Sequence, residues 1–193
     1  MKVLIDNGHG DNTPGKCSPD GRLKEWFYTR EIADRVVMEL CERGIDAERI
    51  VEEDTDVPLA ERCRRVNAIY ERMERKAILV SIHCNAAGSG KDWMNAHGWS
   101  VFVSGNASSK SKRLAECLAK IAADIPVLVR KPSPEQLYWV QNLAICRNTN
   151  CPAVLTENFF QDNKDDVKYL LSDEGRNDVV RIHIEGIIKN LGL

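Results

Sequence analysis

The chain predicts a single α/β domain: a twisted, mostly parallel central sheet of about six strands, flanked by helices on both faces. Three observations carry that prediction. Short apolar runs, among them Val3-Leu4-Ile5, Ala77-Ile78-Leu79-Val80 and Ala153-Val154-Leu155, have the near-continuous hydrophobicity of strands buried on both faces. Longer segments between them repeat apolar residues at helical spacing. The two kinds alternate, and no Pro/Ser/Gly-rich linker interrupts them, so residues 1–193 read as one domain.

Each element has a local reason. Val3–Ile5 is the first strand, and a loop rich in Gly, Pro, Asn and Asp follows from Gly8 to Gly21. A helix from about Glu25 to Arg43 carries Ile32, Val36 and Leu40 on one face, and Gly44 is its natural stop. Ala47–Val51 is a short second strand. Thr55 or Asp56 caps the next helix, with Pro58 in its first turn and a stripe of Leu59, Cys63, Val66, Tyr70 and Met73. Ala77–Cys84 is the strongest strand, and the polar loop Asn85 to Asn95 follows it. Trp99–Val103 is another strand, after which Ser108 or Ser109 opens a helix carrying Leu114, Leu118 and Ile121. Beyond a loop with Pro126, Pro132 and Pro134, Leu137–Ile145 is extended, Asn148–Pro152 turns, and Ala153–Glu157 is the last strand. Helices over Asp165–Leu171 and about Glu174–Leu191 finish the chain.

Composition narrows the classes of function. Hydrophobic residues make up 43% and charged residues 29%, with a net charge of -2, so neither nucleic acid nor an acidic membrane is an expected partner. No stretch is apolar enough for membrane insertion. Met1–Asp6 has no signal-peptide shape, which predicts synthesis in the cytoplasm and arrival at any external target by another route. The seven cysteines are odd in number and form no Cys-x-x-Cys pair, so they read as reduced, mostly buried thiols.

Chemistry concentrates where the apolar runs stop. Sheets of this type gather ligands at the carboxyl ends of strands. His9 closes the first run, between Gly8 and Gly10, whose freedom lets the imidazole leave the strand end at an unusual angle. His83 closes the third, and strand alternation points it away from Cys84. Glu157 closes Ala153–Thr156, where a buried carboxylate needs a cation, a metal or a proton. Glu25 opens the first long helix. Two imidazoles and a carboxylate, with a second carboxylate spare, are what a catalytic zinc centre needs. Each residue also has a plain reading: a turn histidine, a core histidine on a backbone carbonyl, a partly buried acid, and an acid favoured by the helix dipole. His97 precedes Gly98 at a loop–strand junction, and His183 reads as structural. The basic run Arg62-Cys63-Arg64-Arg65, balanced by Glu61, Glu71 and Glu74, reads as a solvated helix face.

In order along almost the whole chain, these segments resemble the zinc-dependent N-acetylmuramoyl-L-alanine amidases of the Amidase_3 family. The pieces are Val3-Leu4-Ile5-Asp6-Asn7-Gly8-His9-Gly10, Glu25 after Asp20-Gly21, and Leu59-x-x-Arg62 with Asn67. Ser81-Ile82-His83-Cys84-Asn85-Ala86, Gly98-Trp99-Ser100-Val101-Phe102, Pro152–Glu157 and Asp162–Asp166 complete them. The stretch from Glu157 to Lys164 is similar to phage endolysin catalytic domains. The resemblance implies Zn²⁺ on His9, Glu25 and His83, with Glu157 as catalytic acid/base. It implies hydrolysis of the amide between N-acetylmuramic acid and L-alanine in peptidoglycan. Phe159, Trp93 and Tyr138 are candidate groove aromatics. Val51-Glu52-Glu53 stands where the family often has Thr-Arg, and Ala77 where an Asp is common; neither is a ligand position. No part of the 193 residues is left for a separate wall-binding module. Two other readings are a catalytically inactive peptidoglycan-binding module and a zinc exopeptidase or amidohydrolase acting on free peptides.

Overall fold

Four parallel strands put the ends of the apolar runs side by side. In the computed structural model, which describes residues 1–193, the sheet order is β2-β1-β3-β6-β4-β5. Here β1 is Lys2–Asn7, β2 Ala47–Arg49, β3 Ala77–Asn85, β4 Ser100–Val103, β5 Trp139–Val140 and β6 Ala153–Phe160. Strands β2, β1, β3 and β6 run parallel, β4 pairs antiparallel with β6, and β5 runs parallel to β4. The mostly parallel six-stranded sheet is the one the alternation predicts.

Helices cover both faces. On one lie α1 (Glu25–Glu42), α3 (Ser109–Ala123), α5 (Lys164–Leu170) and α6 (Asp173–Leu191), packed on Val3, Ile5, Val80, Ile82 and Val154. On the other lie α2 (Leu59–Arg72) and the short α4 (Ala144–Arg147), packed on Leu4, Leu79 and Leu155. The first core holds 32 buried residues and the second 14, so most of the apolar burial lies under α1, α3, α5 and α6.

Local chemistry explains the boundaries that differ from expectation. Helix α2 starts at Leu59 after Pro58, without a side-chain cap, because the Asp56 carboxylate is engaged by Arg62 at 2.9 Å. The segment Leu137–Ile145 is not one extended piece. It gives a two-residue β5 and then turns into α4, which buries Ile145 and Cys146. Strand β2 ends at Arg49, short of Val51. Strand β6 runs past Glu157 to Phe160, because the β3–β6 register slips between His83 and Asn85 and lets pairing resume at Phe160. Ser108 caps α3 and Gly44, at φ 77°, follows α1, both as expected.

The loop over residues 86–99 leaves β3 and returns into β4 on the same edge of the sheet. Its ends are fixed. Ala87 and Gly88 N–H donate to Asp162 Oδ2 (2.8 and 2.7 Å), Met94 N–H to Asp162 O (2.7 Å), and Gly98 N–H to Asp166 Oδ2 (2.9 Å).

Candidate metal centre

The parallel register places Gly8, His83, Glu157 and Ser100 in one row across β1, β3, β6 and β4. Asn7 pairs with Ile82, His83 with Glu157, and Glu157 with Ser100. Side chains on one row share a face of the sheet. His83 therefore stands beside Glu157, although 74 positions separate them in sequence. Ser100 faces them too, and its buried hydroxyl has no hydrogen-bond partner.

Glu25 comes to this row from the first turn of α1, where the helix dipole favours a carboxylate. Its side chain is fully buried. Oε1 accepts the Cys84 N–H at 2.9 Å and lies 3.2 Å from His83 Nδ1 and 3.6 Å from His9 Nε2. Oε2 has no partner. The two imidazoles meet edge-on, with centroids 5.0 Å apart. Donor atoms of His9, Glu25 and His83 all lie within 4.8 Å of one another. Ligands about 2.1 Å from a tetrahedral ion are about 3.4 Å apart. The observed separations bracket that value, and the orphaned Oε2 is what a buried carboxylate without its cation shows. The three residues can hold one metal ion.

The electrostatics is that of a buried acid held between two imidazoles. Burial works to raise the Glu25 pKa, but the hydrogen bond and charge of His83 and the charge of His9 outweigh it and bring it down. Burial works to lower that of His83, and Glu25 outweighs it and raises it. Burial lowers His9 to about 4, which favours a neutral imidazole. Glu157 behaves differently. Burial, opposed by His83 and reinforced by Glu25, pushes its carboxyl up to about 7, and its Oε2 has no partner.

The turn after β1 is shaped for this geometry. A Cβ on Gly8 would lie 2.5 Å from the His83 ring, so only glycine lets the imidazole rest there. His9 sits at φ 61°, a left-handed conformation that costs a non-glycine residue roughly 1–2 kcal/mol. Behind β3, Asn158 donates to the His83 carbonyl (2.9 Å) and accepts from Trp99 Nε1 (2.9 Å).

Some sequence expectations need correction, and those for His183 and the cysteines hold. Arg62 is no member of a solvated face: it is 2% exposed and pairs with Asp6 at 2.8 Å. It lies four residues before Val66 and seven before Ile69, on the inward side of α2, whereas Leu59 of the expected stripe is exposed; and a buried Asp6 needs a cation. Those two signals together point to it. Arg30 is also buried, and no local pattern in the sequence marks it. Phe159 is not a groove aromatic; its positive φ of 64° turns the ring into the core against Tyr169. Trp93 and Tyr138 are partly buried against the same core. His97 is exposed, with Nδ1 3.0 Å from Asn95 O. His183 is structural, between Val179 O and Thr156 Oγ1. All seven cysteines are free, five of them buried.

The fold and the site together define a class: an α/β domain with a candidate mononuclear metal centre, and a desolvated carboxylate beside it, at the carboxyl edge of its parallel strands. More finely, the chain belongs to the N-acetylmuramoyl-L-alanine amidase family Amidase_3, whose profile matches residues 3–189. It is 31% identical over 193 residues to an endolysin of Bacillus phage SPP1, covering 99% of this chain and 66% of that protein. It is 27% identical over 186 residues to the probable cell wall amidase LytH of Staphylococcus saprophyticus, covering 96% and 56%. The chain thus spans just under two thirds and just over half of these relatives' lengths. Its fold matches the catalytic domain of CwlV, an N-acetylmuramoyl-L-alanine amidase from Bacillus (Paenibacillus) polymyxa var. colistinus. The TM-score is 0.82 at 24% identity, over 100% of this chain and 98% of that one.

Proposed function

We propose that the chain hydrolyses the amide between N-acetylmuramic acid and L-alanine in peptidoglycan, with zinc held by His9, Glu25 and His83 and with Glu157 as catalytic acid/base. One observation carries this reading: three donors at the spacing of a tetrahedral ligand set stand next to Glu157, a half-buried carboxylate whose Oε2 is buried and unpartnered, in a chain of the amidase family. The relatives' names, an endolysin and a probable cell wall amidase, support the bacterial wall as target.

Zinc, when bound, supplies Lewis-acid polarisation of the scissile carbonyl and lowers the pKa of the attacking water to about 7. The chain's own residues do the rest. Cys84 N–H fixes Glu25, and the bare Cα of Gly8 seats the His83 ring. Glu157, fixed in the β6 ladder, takes a proton from the water and hands it to the leaving L-alanine nitrogen. Its burial favours holding that proton between the two transfers. A positioned proton carrier of this kind contributes about 10²–10⁴ in rate. A binding module without activity has no need of Glu157.

Isolated sacculi incubated with the protein test the reading. New L-alanine amino termini without new reducing sugar identify the amidase, and loss of the signal on chelation, with recovery on adding zinc, identifies the metal. Full activity in chelated, metal-free protein would sink the zinc centre.

A further inference from the structure

Three consecutive carbonyls at the end of β1 are each held by side chains. Arg62 Nη1 donates to Asn7 O (2.6 Å), and Thr29 Oγ1 donates to Gly8 O (3.1 Å). The His9 carbonyl receives two guanidinium groups: Arg30 Nη2 at 3.1 Å from α1 and Arg62 Nη2 at 3.2 Å from α2. The same two groups reach the connection between β2 and α2. Arg30 donates to Glu53 O at 2.6 Å, and Arg62 donates to Val57 O at 2.7 Å.

Charge does not explain Arg30. Arg62 has carboxylate partners in Asp6 and Asp56 at 2.8 and 2.9 Å. The nearest acid to Arg30 is Asp54, 3.8 Å away and exposed. Burial and the neighbouring Arg62 charge both work against its own charge. A poorly neutralised cation beside a second cation, next to three residues that can hold a third, is an adverse arrangement. Anion binding does not explain it either. Its Nε, Nη1 and Nη2 are all directed at backbone carbonyls, those of Trp26, Glu53 and His9. What the planar fork supplies is direction: several carbonyls fixed at once from one rigid group.

We infer that Arg30 and Arg62 are positioning residues that lock the backbone of His9 in its left-handed conformation, so that its imidazole meets Glu25 and His83 before any metal arrives. The inference rests on the metal-centre reading above. Residues that support ligands from behind are worth about ten- to a hundredfold in metal affinity. Arg30 is the better probe, because removing Arg62 would strand the buried Asp6.

The test is a double-mutant cycle read by zinc affinity, through competition with a chromophoric chelator, on full-length protein. Arg30→Met is expected to weaken zinc binding about ten- to a hundredfold. In a His9→Ala background, where the locked residue no longer offers a ligand, it is expected to change affinity little. Arg30→Lys keeps the charge and the stem but not the fork, is expected to lose affinity as Arg30→Met does, and serves if Arg30→Met does not fold. Wild-type affinity in both Arg30 variants, or an equal loss with and without His9, would overturn the inference. Wild-type protein that binds no zinc would overturn the metal centre itself, a distinct result.

Discussion

Substituting Gly8 by alanine is the sharpest way to disturb the centre without touching a ligand. Gly8 has no positive φ, so alanine is compatible with its backbone and only space forbids the methyl group. That Cβ would lie 2.5 Å from Cε1 and Nδ1 of His83. Ordinary contact begins near about 3.5 Å, so the ring must retreat by about 1 Å. Its Nδ1 is 3.2 Å from Glu25 Oε1, and catalytic constellations tolerate about 0.5 Å. A 1 Å misplacement costs about 10²-fold in rate, or about 2.7 kcal/mol of transition-state stabilisation. Overpacking also lowers stability by about 1–3 kcal/mol. The assay is turbidity loss of a wall suspension, together with zinc affinity. Gly105→Ala is the control, since its Cβ would meet nothing within 4 Å. Wild-type zinc affinity and lysis in Gly8→Ala would refute the reasoning, because the centre would then not depend on the contact between β1 and the His83 ring.

Two more outcomes are expected. Glu157→Ala keeps zinc, measured by metal analysis after dialysis, and loses about 10²–10⁴ in rate; a variant that clears walls at the wild-type rate removes Glu157 from the mechanism. His183 gives a pH signature in stability. Burial lowers its pKa from 6.5 to about 4, so it is neutral when folded and binds protons more readily when unfolded. Its contribution is complete above pH 6.5 and declines as pH falls towards 4. The full loss is about 3 kcal/mol, of which about 2 is gone by pH 5. Urea unfolding at pH 7 and pH 5 measures it, and His183→Gln should show the smaller difference; an identical difference would exclude His183 as its source.

Much of this was legible in the sequence because it depends on chain-local physics. The runs around Leu4, Leu79 and Val154 announce buried strands. Parallel strands bring their carboxyl ends together, so His9, His83 and Glu157 converge without any knowledge of packing. What was hidden depends on partners distant in sequence. Arg62 looks like its solvated neighbours Arg64 and Arg65 until Asp6 is placed beside it. Arg30 lies to one side of the Ile32–Val36–Leu40 stripe and declares itself only through the His9 carbonyl. Phe159 carries no local signal of its place: its left-handed φ turns the ring into the core, and only the folded chain shows that. The segment Leu137–Ile145 is extended by propensity, but β4 is short and pairs with only two of its residues.

The antiparallel placement of β4 has a consequence for how this domain can diversify. Both posts of the 86–99 loop stand on the edge of the sheet that carries His83 and Glu157, and both are tied down from Asp162 and Asp166. Residues 89–92, between the ties at Gly88 and the packed Trp93 and Met94, can lengthen, shorten or change composition with no strand to re-register and no helix to repack. The loop is thereby uncoupled from the row of the sheet that holds His83 and Glu157. On the function proposed above, variation in substrate preference can accumulate as loop exchange, while the candidate ligands and their supports change separately.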